Sequence, residues 1–106
     1  MVYALNIFNL VTSKKYLYKE YSVKAGKIIY SLGGRVVASG WKPIRELRGK
    51  KARKYMIIVE FPSEKIFEEF LNKAETENIH NLREAATENY IWTLYQNWNI
   101  KAWVRA

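Results

Sequence analysis

Apolar residues cluster along the chain in four short runs, and these runs predict four β-strands. The first run, VYALNIFNLV (residues 2–11), is rich in aromatic and β-branched residues and is apolar on both alternating faces. That pattern is typical of a strand that is buried on both sides. Similar runs follow at residues 35–41, 54–61 and 89–95. We therefore expect a sheet whose two faces both need to be covered.

Between the strands, apolar residues recur at helical spacing. A first helix is predicted from the N-cap candidates Thr12 or Ser13 to the glycine pair at 33–34, because glycine readily ends a helix. A second helix is predicted after Ser63, which can cap it, and a further helical segment at residues 76–87. The apolar stripes of the first two helices comprise Leu17, Tyr21, Ala25, Ile28 and Leu32, and Ile66, Phe67, Phe70 and Leu71.

Two segments interrupt this regular pattern. Pro43 cannot donate to a strand ladder, but residues 44–48 are expected to resume pairing before Gly49 turns the chain. A hairpin would then join the second and third strands. The tail, residues 96–106, alternates apolar and polar positions and is expected to form one more short strand at an edge.

The predicted order of elements is β-α-β-β-α-β. This order is that of the α+β, ferredoxin-like arrangement, in which both helices lie on one face of a four-stranded antiparallel sheet. The other face would expose a larger apolar area than single chains normally tolerate. A second copy of the same sheet, related by a two-fold axis, would cover it. The sequence therefore predicts a homodimer, which the tail strand would help to hold together.

Composition narrows the chemistry. The chain has 106 residues, the size of one ordinary domain. It has no cysteine and a single histidine, His80, so disulfides, thiolate catalysis and zinc hydrolysis are excluded and no metal site is expected. No apolar stretch is long enough to span a bilayer, and no secretory signal is visible. We therefore expect a cytoplasmic protein without a membrane partner.

The net charge of +8 comes mostly from one stretch. GWKPIRELRGKKARKY (residues 40–55) holds seven of the eighteen Lys and Arg residues and one acid, Glu46, for a net +6. A polyanion could bind there, with Trp41 and Tyr55 as stacking platforms. Charges around a turn are more simply explained as a solvated hairpin tip, which favours that interpretation over a nucleic-acid interface. The polyanion candidates are Arg48, Lys50, Lys51, Arg53 and Lys54.

Four short motifs carry a resemblance to a known family. They are Gly33-Gly34-Arg35, VEFPS (59–63), LREAAT (82–87) and Tyr21 in the first helix. In this order and spacing the chain resembles the family named domain of unknown function 1330, within the dimeric α/β-barrel superfamily. The resemblance implies the fold and the dimer and no established reaction. It makes residues 1–95 the barrel domain and residues 96–106 an extension that contacts the partner subunit.

The same resemblance raises haem chemistry as an alternative. Related barrels that degrade haem place an Asn on the first strand, a Trp on the second helix and an iron-ligating His ten residues later. Asn6 and His80 fall near the first and last of these positions, but Phe70 stands where the Trp would be. No cofactor is therefore predicted, and haem is kept as an alternative.

Charged residues among apolar neighbours give the main candidate site. Glu60 needs a partner where its neighbours are apolar, and Arg83 is the expected one. In a pocket between sheet and helices, Glu60 would accept a proton while Arg83 or Arg35 holds an anionic small molecule. The predicted ligand-binding residues are Asn6, Tyr21, Arg35, Glu60, Phe70, His80 and Arg83, with Glu60 and His80 as catalytic candidates.

The sequence leaves three classes of function open. The first is a small-ligand binder or cofactor-independent enzyme, by analogy with the superfamily, because fold alone does not fix function. The second is a haem-degrading monooxygenase-like protein. The third is a protein that binds polyanions or nucleic acid through the basic hairpin of residues 42–54.

Overall fold

The computed structural model describes residues 1–106 and contains four strands and four helices. A single 3-10 turn at Thr12–Lys14 precedes the first helix. The elements are β1 (Val2–Leu10), α1 (Lys15–Ser31), β2 (Arg35–Trp41), β3 (Tyr55–Phe61), α2 (Glu64–Thr76), α3 (His80–Ala86), β4 (Thr87–Gln96) and α4 (Ile100–Arg105). No helix is both long and apolar enough to cross a membrane.

The four strands form one antiparallel sheet in the order β2-β3-β1-β4. The central strand β1 pairs with β3 and β4, so that Leu5 lies between Ile58 and Thr93. This β-α-β-β-α-β order confirms the predicted ferredoxin-like, α+β fold. Helix α1 follows β1 and α2 follows β3, as the apolar spacing indicates, and the short α3 lies between α2 and β4.

Alternation along the strands divides the sheet into two faces. The inner face packs against the helices and carries the core, in which Phe61 of β3 contacts Phe67 and Phe70 of α2 at ring distances of 5.1 and 5.6 Å. The opposite, outer face has no cover within the chain. It carries half-buried or exposed apolar side chains from three strands: Tyr3, Leu5, Ile7, Met56, Ile58, Ile91 and Tyr95.

The helix ends agree with the sequence in two places and differ in one. Gly33, at a φ of 83°, lies just beyond α1 and takes the left-handed conformation that glycine favours. At α2, the Ser63 hydroxyl accepts a hydrogen bond from the backbone N–H of Ile66 at 3.2 Å. The predicted side-chain cap of α1 is wrong, since Thr12 and Ser13 form the 3-10 turn and neither side chain bonds a helix N–H.

The strand predicted at residues 44–48 is absent. Pairing of β2 with β3 ends where the backbone N–H of Lys42 donates to the carbonyl of Lys54 at 2.7 Å. Lys42 has a φ of 54° and Pro43 has no N–H, so the chain leaves the sheet at this point. Residues 42–54 form an exposed loop, called the basic loop below.

The extra strand predicted in the tail is also wrong. The Asn99 side chain accepts a hydrogen bond from the backbone N–H of Ala102 at 3.0 Å and thereby caps a short helix, α4. Trp98 and Trp103, five residues apart, pack edge to face across its first turn at 5.5 Å. Alternation of apolar residues over so few positions did not distinguish a strand from a helix.

Candidate functional site

A small cavity lies between α1 and the inner face of the sheet. Its volume is about 100 Å³, somewhat below that of an engineered apolar cavity of roughly 150 Å³ that binds benzene. Most of its wall is apolar. The side chains that bring polar atoms or aromatic rings to it are Asn6, Tyr18, Tyr21, Ser22, Phe61, Phe70, Tyr90 and Trp92.

Asn6 forms a fixed polar point in the cavity wall. Its amide Nδ2 donates to the carbonyl oxygens of Ala4 and Ile57, each at 3.3 Å. Its Oδ1 accepts a hydrogen bond from the Tyr90 hydroxyl. The residue is buried, and its hydrogen bonds hold the side chain in one orientation. Asn6 therefore positions Tyr90 and keeps little capacity for a ligand of its own.

Arg83 of α3 lies over three aromatic rings that line the cavity. Its guanidinium carbon is 4.7 Å from the ring centroid of Trp92, 5.4 Å from that of Tyr90 and 5.9 Å from that of Tyr21. The nearest carboxylate, Glu84, is 3.9 Å away and mostly exposed, which makes it a weak partner. The cation is thus held by aromatic faces, and its N–H donors are not engaged by a close carboxylate.

A second donor next to Arg83 has no partner at all. The indole nitrogen of Trp92 is buried and makes no hydrogen bond, although Trp92 lines the cavity. A buried donor without an acceptor costs about 1–3 kcal/mol. Such atoms are uncommon in folded proteins, and each calls for a reason. A ligand oxygen would provide the missing acceptor once the wall beside Trp92 opens, because the nitrogen itself is closed to solvent in this structure.

Three tyrosines of the cavity are held in their neutral form. Burial raises the pKa of Tyr18, Tyr21 and Tyr90 above the ordinary value near 10. The positive charge of Arg83 acts in the opposite direction on all three and does not overcome the effect of burial. At neutral pH these hydroxyl groups keep their protons and do not act as bases.

The predicted site residues divide between the two sheet faces. Asn6, Tyr21 and Phe70 line the cavity, and Arg83 packs against its rings. Arg35 and Glu60 lie on the outer face, because Val59 and Phe61 on either side of Glu60 point inward. The prediction that Glu60 faces the same pocket is therefore wrong.

The predicted partner of Glu60 is also wrong. Arg35 lies directly opposite Glu60 across β2 and β3, and its Nε donates to Glu60 Oε1 at 3.1 Å. Glu60 is 8% exposed, while the Arg35 side chain is mostly in solvent. Burial does demand a partner for this carboxylate, and the pairing of β2 with β3 supplies it.

His80 begins α3 and does not line the cavity. Its Nδ1 is buried without a hydrogen-bond partner. No cluster of three or more histidine or acidic side chains is arranged to hold a metal ion. The residues present do not fit haem, because a porphyrin is far larger than a cavity of about 100 Å³ and the only imidazole lies outside it.

Most residues of the cavity wall escaped the sequence-based prediction, and three of them bear on its chemistry: Tyr18, Tyr90 and Trp92. Tyr18 lies three positions before Tyr21 and thus shares its helix face, a signal that was available. Tyr90 and Trp92 alternate along β4 on the inner face, but only strand pairing shows that this face meets α1.

The basic loop divides into fixed and free cations. Arg53 Nε donates to the carbonyl of Asn89 at 3.0 Å and its Nη1 to that of Lys51 at 2.5 Å, so Arg53 anchors the loop to β4. The backbone N–H of Lys54 donates to Asn9 Oδ1 at 2.9 Å. The side chains of Arg48, Lys50 and Lys51 are exposed.

Comparison with known proteins agrees with this fold. The model of the family described as Domain of unknown function (DUF1330) matches residues 3–95. No curated protein matches.

Solved structures similar to the chain share its fold at low sequence identity. A protein of unknown function from Rhodopseudomonas palustris is 22% identical at a TM-score of 0.79, covering 92% of this chain and 82% of its own. A protein from Agrobacterium tumefaciens is 14% identical at a TM-score of 0.62, with 93% and 95% covered. The haem degrader MhuD from Mycobacterium tuberculosis is 14% identical at a TM-score of 0.57, with 92% and 95% covered.

Proposed function

Because the chain belongs to the family described as Domain of unknown function (DUF1330), whose name gives no reaction, we propose a function from the geometry of the cavity. The cavity binds a small, flat anion no larger than benzene, such as a short unsaturated carboxylate or an enolate. One observation carries the proposal: the Arg83 guanidinium packs over aromatic rings that line an apolar cavity, and one of these rings, Trp92, has a buried indole N–H without a partner.

The chemistry of the wall supports an anion over a neutral ligand. A carboxylate oxygen would accept hydrogen bonds from Trp92 and Arg83, and such charge-assisted bonds are among the strongest in proteins. The apolar remainder of the ligand would lie against aromatic rings. The neutral Tyr21 hydroxyl adds a further donor, whereas that of Tyr90 is already bonded to Asn6.

Binding is better supported than acid-base catalysis. No carboxylate or imidazole lines the cavity, and the tyrosines there stay protonated. The wall can therefore stabilise negative charge on a bound molecule and has no general base to create it. A substrate that ionises by itself is the only kind on which such a cavity would act.

Fluorescence of Trp92 tests the proposal. The variant W41F/W98F/W103F removes the three exposed tryptophans and leaves Trp92 as the single reporter. We expect crotonate to change this emission at concentrations at which the uncharged crotonamide does not. The matched variant R83M should weaken crotonate binding by roughly 10- to 100-fold, the usual worth of a hydrogen bond to a charged group.

The two compounds distinguish a failure of the preference for anions from a failure of the cavity as a binding site. Equal binding of crotonate and crotonamide would retain a ligand cavity and contradict its preference for an anion. No response to either compound, with Trp92 emission still typical of a buried indole, would contradict the cavity as a site for ligands of this size. The comparison of compounds on one variant does not depend on whether R83M folds.

We further propose that the protein is a homodimer in which two outer faces pack together. The support is the uncovered apolar surface described above and the membership of the similar structures in the dimeric α/β-barrel superfamily. The Arg35–Glu60 pair lies on the same face and would be enclosed by the partner. The cavity lies on the other side of the sheet, so each subunit would keep its own.

A further inference from the structure

The basic loop carries apolar side chains that a solvated hairpin tip does not explain. Ile44 is fully exposed, at 103% of its reference area, and Leu47 is 81% exposed. Trp41, where the loop begins, is 67% exposed. Cations at a turn are well hydrated and need no partner. Exposed branched aliphatic side chains, in contrast, keep apolar area in contact with water, which is unfavourable.

The base of the loop is fixed while its tip is free. The Lys42–Lys54 backbone bond joins the two ends of the loop, and the Lys54–Asn9 and Arg53–Asn89 bonds attach its C-terminal end to β1 and β4. Between these anchors no residue belongs to a helix or strand. The residues between the anchors are almost all exposed, with the two aliphatic side chains interleaved among cations.

From this combination we propose that the basic loop binds the surface of an anionic lipid bilayer. Lys and Arg side chains would lie at the headgroups, while Ile44 and Leu47 enter the boundary with the acyl chains and Trp41 lies at the interface. The loop has a net charge of +6 from seven cations and Glu46, which complements an anionic leaflet.

A nucleic acid fits the loop less well. Single strands are bound by rows of aromatic platforms on which bases stack, whereas the exposed apolar side chains between the loop anchors are aliphatic and Trp41 stands alone at the start of the loop. Ile44 and Leu47 have no role on a phosphate backbone. The expectation that no membrane is involved considered only segments that span a bilayer, and a loop that lies on the surface needs none.

Vesicle flotation of the full chain tests the proposal. We expect the protein to float with phosphatidylcholine vesicles that contain phosphatidylglycerol and not with phosphatidylcholine alone. I44S/L47S keeps every charge and should bind at least about tenfold more weakly, because the inserted apolar area is lost. K50A/K51A should lose roughly 30-fold, as each cation near such a surface contributes about a factor of five.

Control variants show whether binding depends on the basic loop or on net charge and exposed apolar side chains anywhere on the chain. K24A/K27A removes the same charge from exposed positions of α1, and V23S removes an exposed apolar side chain from that helix. Both should float as the unaltered protein does. If K24A/K27A lost as much binding as K50A/K51A, attraction would be due to net charge, and the proposal would be wrong.

Two other results would overturn the proposal in favour of a different occupant. If I44S/L47S floated with anionic vesicles as well as the unaltered protein and oligo(dT) competed for the loop, the surface would be a nucleic-acid site. If I44S/L47S reduced the size of the assembly in analytical ultracentrifugation without changing flotation, the aliphatic side chains would be contacts between copies of the chain. Neither result bears on the cavity.

Discussion

Tyr18, Tyr21 and Tyr90 bring three phenol groups together on the inner side of one sheet. Each ring is mostly removed from water, which is why the pKa of each hydroxyl is raised. Their closeness adds to the effect, since ionising one raises the cost of ionising the next. The three hydroxyl groups in the cavity therefore keep their protons across the physiological pH range.

This arrangement predicts a steep loss of stability in alkali. In the unfolded chain the tyrosines ionise near pH 10, whereas in the folded chain they hold their protons to higher pH. Stability is thus fully present below pH 10 and falls above it, by up to about 1.4 kcal/mol per pH unit for each tyrosine. Urea denaturation between pH 8 and pH 11, as a series, measures the slope.

The variant Tyr18→Phe is the control for this slope. It removes one ionisable group and keeps the ring, so the alkaline slope should fall by about a third. A slope that is unchanged in Tyr18→Phe, or a free energy of unfolding that is flat up to pH 11, would contradict the burial of these hydroxyls.

Single residues were the hardest feature to predict from the sequence. The need of Glu60 for a cationic partner follows from burial alone, but the choice of Arg35 over Arg83 follows from the pairing of β2 with β3. A bulge in β2 between Val36 and Ala38 further shifts which side chains share a face. Register is set by long-range contacts, so the sequence indicated the residue types of the site and not their faces.

At the scale of elements, the two long helices begin in different ways. α2 starts with a Ser63 side chain that accepts a helix N–H, whereas α1 starts from a 3-10 turn with no side-chain cap. Thr12 and Ser13 have suitable chemistry for capping, yet the turn places them outside the helix. Residue type predicts where a helix can begin, and the preceding strand decides where it does.

This difference gives a matched pair of substitutions. Ser63→Ala should lower the free energy of unfolding by about 1 kcal/mol, because one N–H at the start of α2 loses its acceptor. Ser13→Ala should change it by less than about 0.5 kcal/mol, as expected for an exposed site without such a bond. Urea denaturation of both variants checks the pair; equal effects would mean that the Ser63 bond does not stabilise α2.

At the scale of the whole molecule, the order of elements was predictable. Four apolar runs separated by helical stripes leave few arrangements, and the chain adopts the ferredoxin-like one. The loop at 42–54 and helix α4 were not predictable, because both are short and their residues are almost all exposed. Local pattern is informative where many residues repeat it and weak where only a few do.

The proposed dimer predicts the effect of one charge on the outer face. Ile7 lies at the centre of that face, between Met56 and Ile91 on the neighbouring strands. Ile7→Asp should convert the dimer to monomers in analytical ultracentrifugation, because an unpaired carboxylate is costly to bury. Val23→Asp on exposed α1 is the control and should leave the dimer intact. A monomeric unaltered protein, or a dimer that survives Ile7→Asp, would contradict the proposed interface.

Because the subunit is thin, it can bury only a small fraction of its residues. The chain measures 49 × 34 × 15 Å, and only 16 of its 106 residues are buried. In a slab so thin, adding residues widens the plate and increases surface nearly as fast as volume. Packing two subunits face to face doubles the thickness without adding residues to the chain. The outer face of each sheet would then be buried against its symmetry-related copy.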